Sequence, residues 1–201
     1  MKIGPRYKIA RRLGVPIFEK TQTAKYALSL SRKERANKKR TKPKSEYGLQ
    51  LLEKQKARFT YGLTEKQFRS YVDKSLTTSN PVQKLFSNLE RRLDNVVFRA
   101  GLVKTRAQAR QAASHGHLLV NGKKVTIPSI ILKDGDSITL KQASANSPLF
   151  GESSERMKEI TSVAWLKVDP LKKEIGVVGE PVYSPAEHVY DLGVVIEFYN
   201  R

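Results

Sequence analysis

The sequence predicts an α+β protein, mainly helical from residue 49 to residue 116 and turning to short strands beyond. Three observations carry that expectation. Apolar residues recur at helical spacing between capping signals from Leu49 onward. Asn121-Gly122 lies between two β-type runs, the strongest short hairpin signal, because a type I′ turn needs positive φ twice. β-branched or aromatic runs at 165–168, 175–178 and 194–199 then follow, and periodicity leaves the last of them open between strand and short buried helix. A length of 201 residues suits about one to two domains.

Residues 1–48 show little hydrophobic periodicity. Gly4, Pro5, Gly14 and Pro16 punctuate them, and Arg32 to Arg40 is a basic run. They read as an arm that is fully ordered only on a polyanion. From Leu49, the residues Leu51, Leu52, Gln55 and Phe59 fall at helix spacing and Gly62 closes the segment. Thr64 with Gln67 three positions on is a capping box, and Phe68, Tyr71, Val72 and Leu76 form the stripe of the helix it opens. Asn80-Pro81 opens a further helix, expected to run unbroken to Ala100 before Gly101.

With Leu85 set to zero, the apolar residues of that helix fall between about 0° and 120°. Lys84, Asn88, Arg91, Arg92, Asn95 and Arg99 collect between about 240° and 340°, with Glu90 and Asp94 apart near 140° and 180°. A solubilising face would mix the signs, so the stripe reads as a nucleic-acid face, with Arg92 and Asp94 alternatively an internal polar pair. Thr105 and Gln108 cap the next helix, where Arg106 and Arg110 share a face and Ala107, Ala109, Ala112 and Ala113 allow close packing; Gly116 ends it. Lys123 and Lys124 follow the Asn-Gly turn, Asp134-Gly135-Asp136 is another turn, and Ser137 to Leu140 is a last short strand. Residues 142–156 read as an exit linker or weak helix.

The net charge is +19, from 38 Lys+Arg against 19 Asp+Glu. Residues 1–48 carry +12, residues 49–88 +4, residues 89–141 +6 and residues 142–201 −3. Such an imbalance points to polyanionic partners, nucleic acid before an acidic membrane surface. With no cysteine, disulfides, thiolate zinc sites and cysteine nucleophiles are excluded. No apolar stretch reaches the length of about 18 residues that a spanning helix needs, and no secretory signal opens the chain. His115 and His117 lack a third ligand in view. No phosphate loop, dinucleotide fingerprint or G-x-S-x-G elbow occurs, and Glu152 and Glu155 sit in the linker. No enzyme, cofactor, metal or small-molecule substrate is expected.

The stretch Leu89 to Gly101, with Thr105 to Gln111, His115-Gly116 and Val120-Asn121-Gly122, resembles small-subunit ribosomal protein four. Gly4-Pro5 with Lys8 and Arg11 to Gly14, Tyr47 to Leu51, Glu53 to Arg58, Gln67 to Arg69, Trp165-Leu166 with Val168-Asp169, and Ile196 to Arg201 resemble the same family in order. The likeness runs from residue 4 to the last residue, leaving no room for a cleaved transit peptide. It implies a basic arm over 1–48, a helical rRNA-binding domain from 49–89 plus the tail 143–201, and an inserted helix–helix–β-hairpin RNA-binding module over 90–142. It also implies binding at a junction of the small-subunit rRNA 5′ domain, nucleation of the subunit body, and an influence on accuracy with ribosomal proteins five and twelve, close to where mRNA enters. The setting implied is a ribosome, in the cytoplasm or in an organelle, and some family members repress their own mRNA.

On the matching motifs, Lys8, Arg11, Arg12 and Tyr47 would serve the arm. Lys54, Lys56, Arg58 and Arg69 would serve the helical domain. Arg91, Arg92, Arg99, Arg106, Arg110, His115, Lys123 and Lys124 would serve the module, gripping phosphates and 2′-hydroxyls because double-helical RNA hides its major-groove edges. The chain departs from the family at Ser29 to Ser45, which holds neither a cysteine zinc knuckle nor a Gly-Gln-His loop, and after Pro181, where Val182 and Tyr183 replace a basic residue. Three rivals are weaker. A modifying enzyme needs a catalytic domain that 60 trailing residues do not supply; a membrane binder needs aromatics opposite its bases; a general DNA-binding protein lacks the full-length resemblance.

Overall fold

The computed structural model describes residues 3–36, 45–145, 147–159 and 163–200, with the side chains of 33–36 excepted. The chain divides into two compact units, 1–85 with 184–201, and 86–183.

The first unit opens with helices α1 (Arg6–Leu13) and α2 (Ala24–Ala36), joined by a 3-10 turn at Glu19–Thr21. The described part of the expected arm is therefore folded. Its small core takes one residue from each piece: Ala10, Phe18 and Tyr26 are buried, and Phe59 packs against them. Tyr7, Ala10 and Leu13 do share one face of α1 at helical spacing, but over a helix of only 8 residues that is a short signal. Residues 37–40 of the basic run lie outside the described residues.

Helix α3 (Glu46–Tyr61) starts on Ser45, whose hydroxyl accepts from Gly48 N, and ends on Gly62 at φ 60. Helix α4 (Glu65–Leu76) carries the capping box of Thr64 and Gln67. The C-terminal run is a helix, with Asp191 capping it through Gly193 N at 2.7 Å. It lies against α3, and Leu192, Val195 and Ile196 are buried.

The second unit begins within α5 (Pro81–Glu90), followed by α6 (Leu93–Arg99) and α7 (Arg106–Ser114). The helix expected to run unbroken from 81 to 100 is interrupted at Arg91 and Arg92. There the backbone is recruited sideways: Leu132 N donates to Arg91 O at 2.8 Å and Leu93 N to Ile130 O at 2.9 Å, while Arg92 takes an extended conformation. A backbone bonded to a neighbouring strand segment cannot close its i→i−4 ring at that point.

Strands β1 (Leu118–Val120), β2 (Lys123–Val125) and β3 (Ser137–Leu140) form the hairpin module, with Asn121 and Gly122 in the turn at φ 50 and 76. Helix α8 (Ser153–Glu159) and strands β4 (Leu166–Asp169) and β5 (Glu174–Val177) complete the unit; the C-terminal helix is α9 (Leu192–Tyr199). The sheet order is β2-β1-β3-β5-β4, all antiparallel, with Ile138 opposite Ile175.

The expected boundary at 143 is thus displaced to 184. β3 would otherwise leave an open edge, and β5 covers it. Phe150, Met157, Trp165, Leu166, Ile175 and Val177 share one core with Leu93, Val96, Val97 and the alanines of α7, so 142–156 is no linker.

Ile175 is fully buried. Ile175→Ala is expected to cost about 2–5 kcal/mol in denaturant unfolding and to lower hydrogen-exchange protection at Leu118 and Ile138. Unchanged protection there would return 143–183 to the other unit.

Candidate nucleic-acid interface

In the second unit, two acids at the helix break organise the surrounding bases. Glu90 and Asp94 are each 1% exposed, so their carboxylates are stripped of water and require donors. Glu90 accepts from Arg99 Nε and Nη2, both at 2.9 Å, and from Asn95 Nδ2 at 2.9 Å. Asn95, itself buried, accepts from Arg106 Nε at 2.7 Å, and the Arg106 guanidinium lies 4.3 Å over the Phe98 ring. Asp94 accepts from Arg92 Nε and Nη2 at 3.0 and 2.8 Å and from Arg110 Nε at 2.6 Å. Four guanidiniums against two carboxylates leave a surplus of two positive charges. The Arg99 and Arg110 side chains keep 27% and 26% exposure.

This corrects the simple basic stripe. Arg92 is 3% exposed and is an internal pair with Asp94, so the RNA role expected of it falls away. Arg91 is drawn to Asp134 at 2.7 Å and to Gly179 O at 3.2 Å. Both acids are buried: Glu90 closes α5 just before the break, and Asp94 lies in α6, whose helical phase restarts after it. They are also the residues that sequence reading missed: Glu90 and Arg99 are nine positions apart, Asp94 and Arg110 sixteen, and neither spacing is a helix-neighbour spacing.

At the hairpin, Asn121 Oδ1 accepts from Ser137 N at 2.9 Å and its Nδ2 donates to Asp136 Oδ1 at 2.8 Å, locking the tip to the turn before β3. Lys123 and Lys124 are exposed on the edge strand β2. The Lys124 stem crosses Gly116, where a Cβ would come within 2.2 Å of Lys124 Cε and φ is +71. His115 is exposed, its ring 5.9 Å from that of His117, whose Nδ1 is 2.8 Å from Ser144 Oγ. No group of three or more metal-ligating side chains occurs among the described residues.

In the first unit, Lys8 and Arg12 are exposed on α1, while Arg11 Nε donates to Tyr7 O. Tyr47 is 54% exposed beside the Phe198 ring. Lys54 contradicts its expected role: it is 7% exposed, bonded to Glu65 at 2.8 Å and 4.7 Å over Phe198. Its side chain instead faces α9, whose arrival sequence periodicity did not reveal. Lys56 pairs with Glu53 at 2.6 Å, and Arg58 donates to Gln55 Oε1. Arg69 is open, with only a 3.9 Å approach to Asp73, and shares the exposed face of α4 with Lys66 and Lys74, which sequence reading passed over.

The Glu65 carboxyl binds α9. Burial pushes it up, but hydrogen bonds from Lys54 and from the Tyr199 hydroxyl (2.7 Å), with the charges of Lys54 and Arg58, hold it below the ordinary range. Burial first, and Glu65 second, push the Tyr199 hydroxyl up.

The geometry defines a protein whose second unit presents bases around a helix–helix–hairpin core, and residues 91–138 match the family model of the S4 domain. Residues 1–93 match that of the Ribosomal protein S4/S9 N-terminal domain. Among similar proteins is Small ribosomal subunit protein uS4 of Aquifex aeolicus (strain VF5), 41% identical over 210 residues, covering 99% of this chain and 98% of that one. The uS4 proteins of Halothermothrix orenii and Roseiflexus castenholzii are each 40% identical, covering 98% and 99% of this chain and 98% of their own length. The chain belongs to the uS4 family of small ribosomal subunit proteins.

A carboxyl held below its ordinary value stabilises the fold above the unfolded value, about 4.3 for Glu, and loses that contribution as pH falls through the folded one. The stability gap between wild type and Glu65→Gln is therefore expected to close as pH drops below about 4.3. Denaturant unfolding at a series of acid pH values checks this; a gap constant down to acid pH would remove Glu65 from the α9 contact.

Proposed function

We propose that this chain is a structural protein of the small ribosomal subunit that binds small-subunit rRNA, works on the ribosome in the cytoplasm and is not an enzyme. The observation that carries this reading is the match to uS4 proteins at about 40% identity over nearly the whole chain. What supports it physically is the positive surplus around α6 and α7, the exposed lysines of β2, and the net charge of +19. No helix among the described residues is long and apolar enough to cross a membrane.

The finer reading places the contact at a helical junction of the rRNA 5′ domain. Both units grip phosphates there: Lys8, Arg12, Arg69 and Tyr47 from the first, and Arg99, Arg106, Arg110, Lys123, Lys124 and His115 from the second. Guanidiniums suit a junction because their fork spans two phosphate oxygens. Bound there early, the protein nucleates the subunit body. With ribosomal protein five as a neighbour it contributes to accuracy, close to where mRNA enters.

Binding of the full chain to the 5′-domain junction RNA and to a length-matched duplex, across a salt series, tests this. The junction is expected to win by roughly 10³ at physiological salt, with steep slopes for both RNAs. Lys123→Gln with Lys124→Gln is expected to weaken both RNAs alike and to flatten the log–log salt slope by about one per lost phosphate contact. Equal binding of the two RNAs would leave only a generic polyanion grip.

A further inference from the structure

The arginines of α6 and α7 are not loose surface bases. Each is held by the Nε edge of its guanidinium: Arg99 on Glu90, Arg106 on Asn95, Arg110 on Asp94. Binding that edge fixes the plane of the group, and with it the direction of its terminal nitrogens. The anchors cannot swing, since Glu90, Asp94 and Asn95 are each 1% exposed and are themselves cross-linked, Asn95 Nδ2 to Glu90 and Asp94 to Arg92. The side chains of Arg99 and Arg110 remain about a quarter exposed. A long side chain free in solution loses rotamer freedom when it binds; one already held by its inner edge has less to lose.

We propose that Glu90, Asp94 and Asn95 are positioning residues of the RNA interface, holding Arg99, Arg106 and Arg110 in the attitude that meets RNA phosphates. This rests on the rRNA-binding reading and adds a consequence that charge alone opposes. Glu90 and Asp94 are negative, so generic electrostatics makes their neutralisation strengthen binding to a polyanion. Positioning makes it weaken binding. Asp94 gives the cleanest test, because of the two arginines it holds, Arg92 is 3% exposed, whereas the Arg110 side chain keeps 26% exposure and can carry the effect to RNA. The neutral carbonyl of Asn95 holds Arg106 in the same way without lowering the local charge.

The experiment is a double-mutant cycle on the full chain, read as affinity for the 5′-domain junction RNA, with the fluorescence of Trp165, buried in the second unit, reporting that each variant is folded. Arg110→Gln is expected to weaken binding roughly tenfold, and Asp94→Asn to weaken it comparably despite the added positive charge. In the Arg110→Gln background Asp94→Asn is expected to add no further loss, whereas a merely structural role gives the same loss in both backgrounds. Arg110→Lys keeps the charge but loses the anchored edge, and is expected to fall close to Arg110→Gln; it decides the matter alone if Asp94→Asn does not fold. Tighter binding by Asp94→Asn, additive losses, or Arg110→Lys equal to wild type overturns positioning while the arginine interface stands. If Arg110→Gln and Arg99→Gln both bind like wild type, the interface on α6 and α7 fails with it.

Discussion

Glu90 and Asp94 are each 1% exposed in a chain of net charge +19, and a desolvated carboxylate persists only where donors surround it. That requirement shapes the second unit. It draws Arg99 back along α6, Arg110 down from α7 and Arg92 inward, and it fixes Asn95 as the link to Arg106. Each carboxylate has more than one donor, so the set is cross-braced rather than built of isolated pairs. The same contacts that hold two helices at their crossing also set the direction of the bases those helices carry. Structure and binding surface therefore share one set of hydrogen bonds.

The interruption between α5 and α6 is what allows this. In an unbroken helix Glu90 and Asp94 would lie on one outer flank. Once Arg91 and Arg92 give their backbone groups to residues 130–132, the second helix restarts at a new phase and Asp94 turns toward α7. The segment between β2 and β3, which looks like a mere connection, is thus the part that aims Asp94. The alanines Ala109, Ala112 and Ala113 contribute by letting α7 approach α6 closely over Val96 and Val97.

The first unit applies similar chemistry to a different end. Lys54 is buried against Phe198 and bonded to Glu65, and Tyr199 closes the set by donating to Glu65. An ammonium with a carboxylate on one side and an aromatic face on the other is compensated in two ways. The beneficiary is α9, which carries few polar groups of its own and is joined to the unit by its aromatic end. Across the protein, a base that looks available from its position in the chain is often occupied within the fold. Lys54 and Arg92 mark one extreme, and Arg69, Lys123 and Lys124 the other.

Sequence alone determined whatever depends on neighbours a few residues apart. The capping boxes at Thr64 and Thr105, the Asn80 cap, the Gly62 stop and the Asn121-Gly122 turn were all legible, because each is closed by atoms within about four positions. Net charge, its concentration toward the N-terminus and the family resemblance were legible too, since none of them needs coordinates. Tertiary structure decided the rest. That β5 would cover the edge of β3 and move the boundary from 143 to 184 depends on Ile138 meeting Ile175, 37 positions on. That α9 is a helix, where its apolar run allowed a strand, depends on the Asp191 cap and on the face α3 offers. Which arginines point to solvent was undetermined by composition or periodicity, because their partners lie nine and sixteen residues away and come within reach only when α6 folds back on the end of α5 and α7 packs on α6.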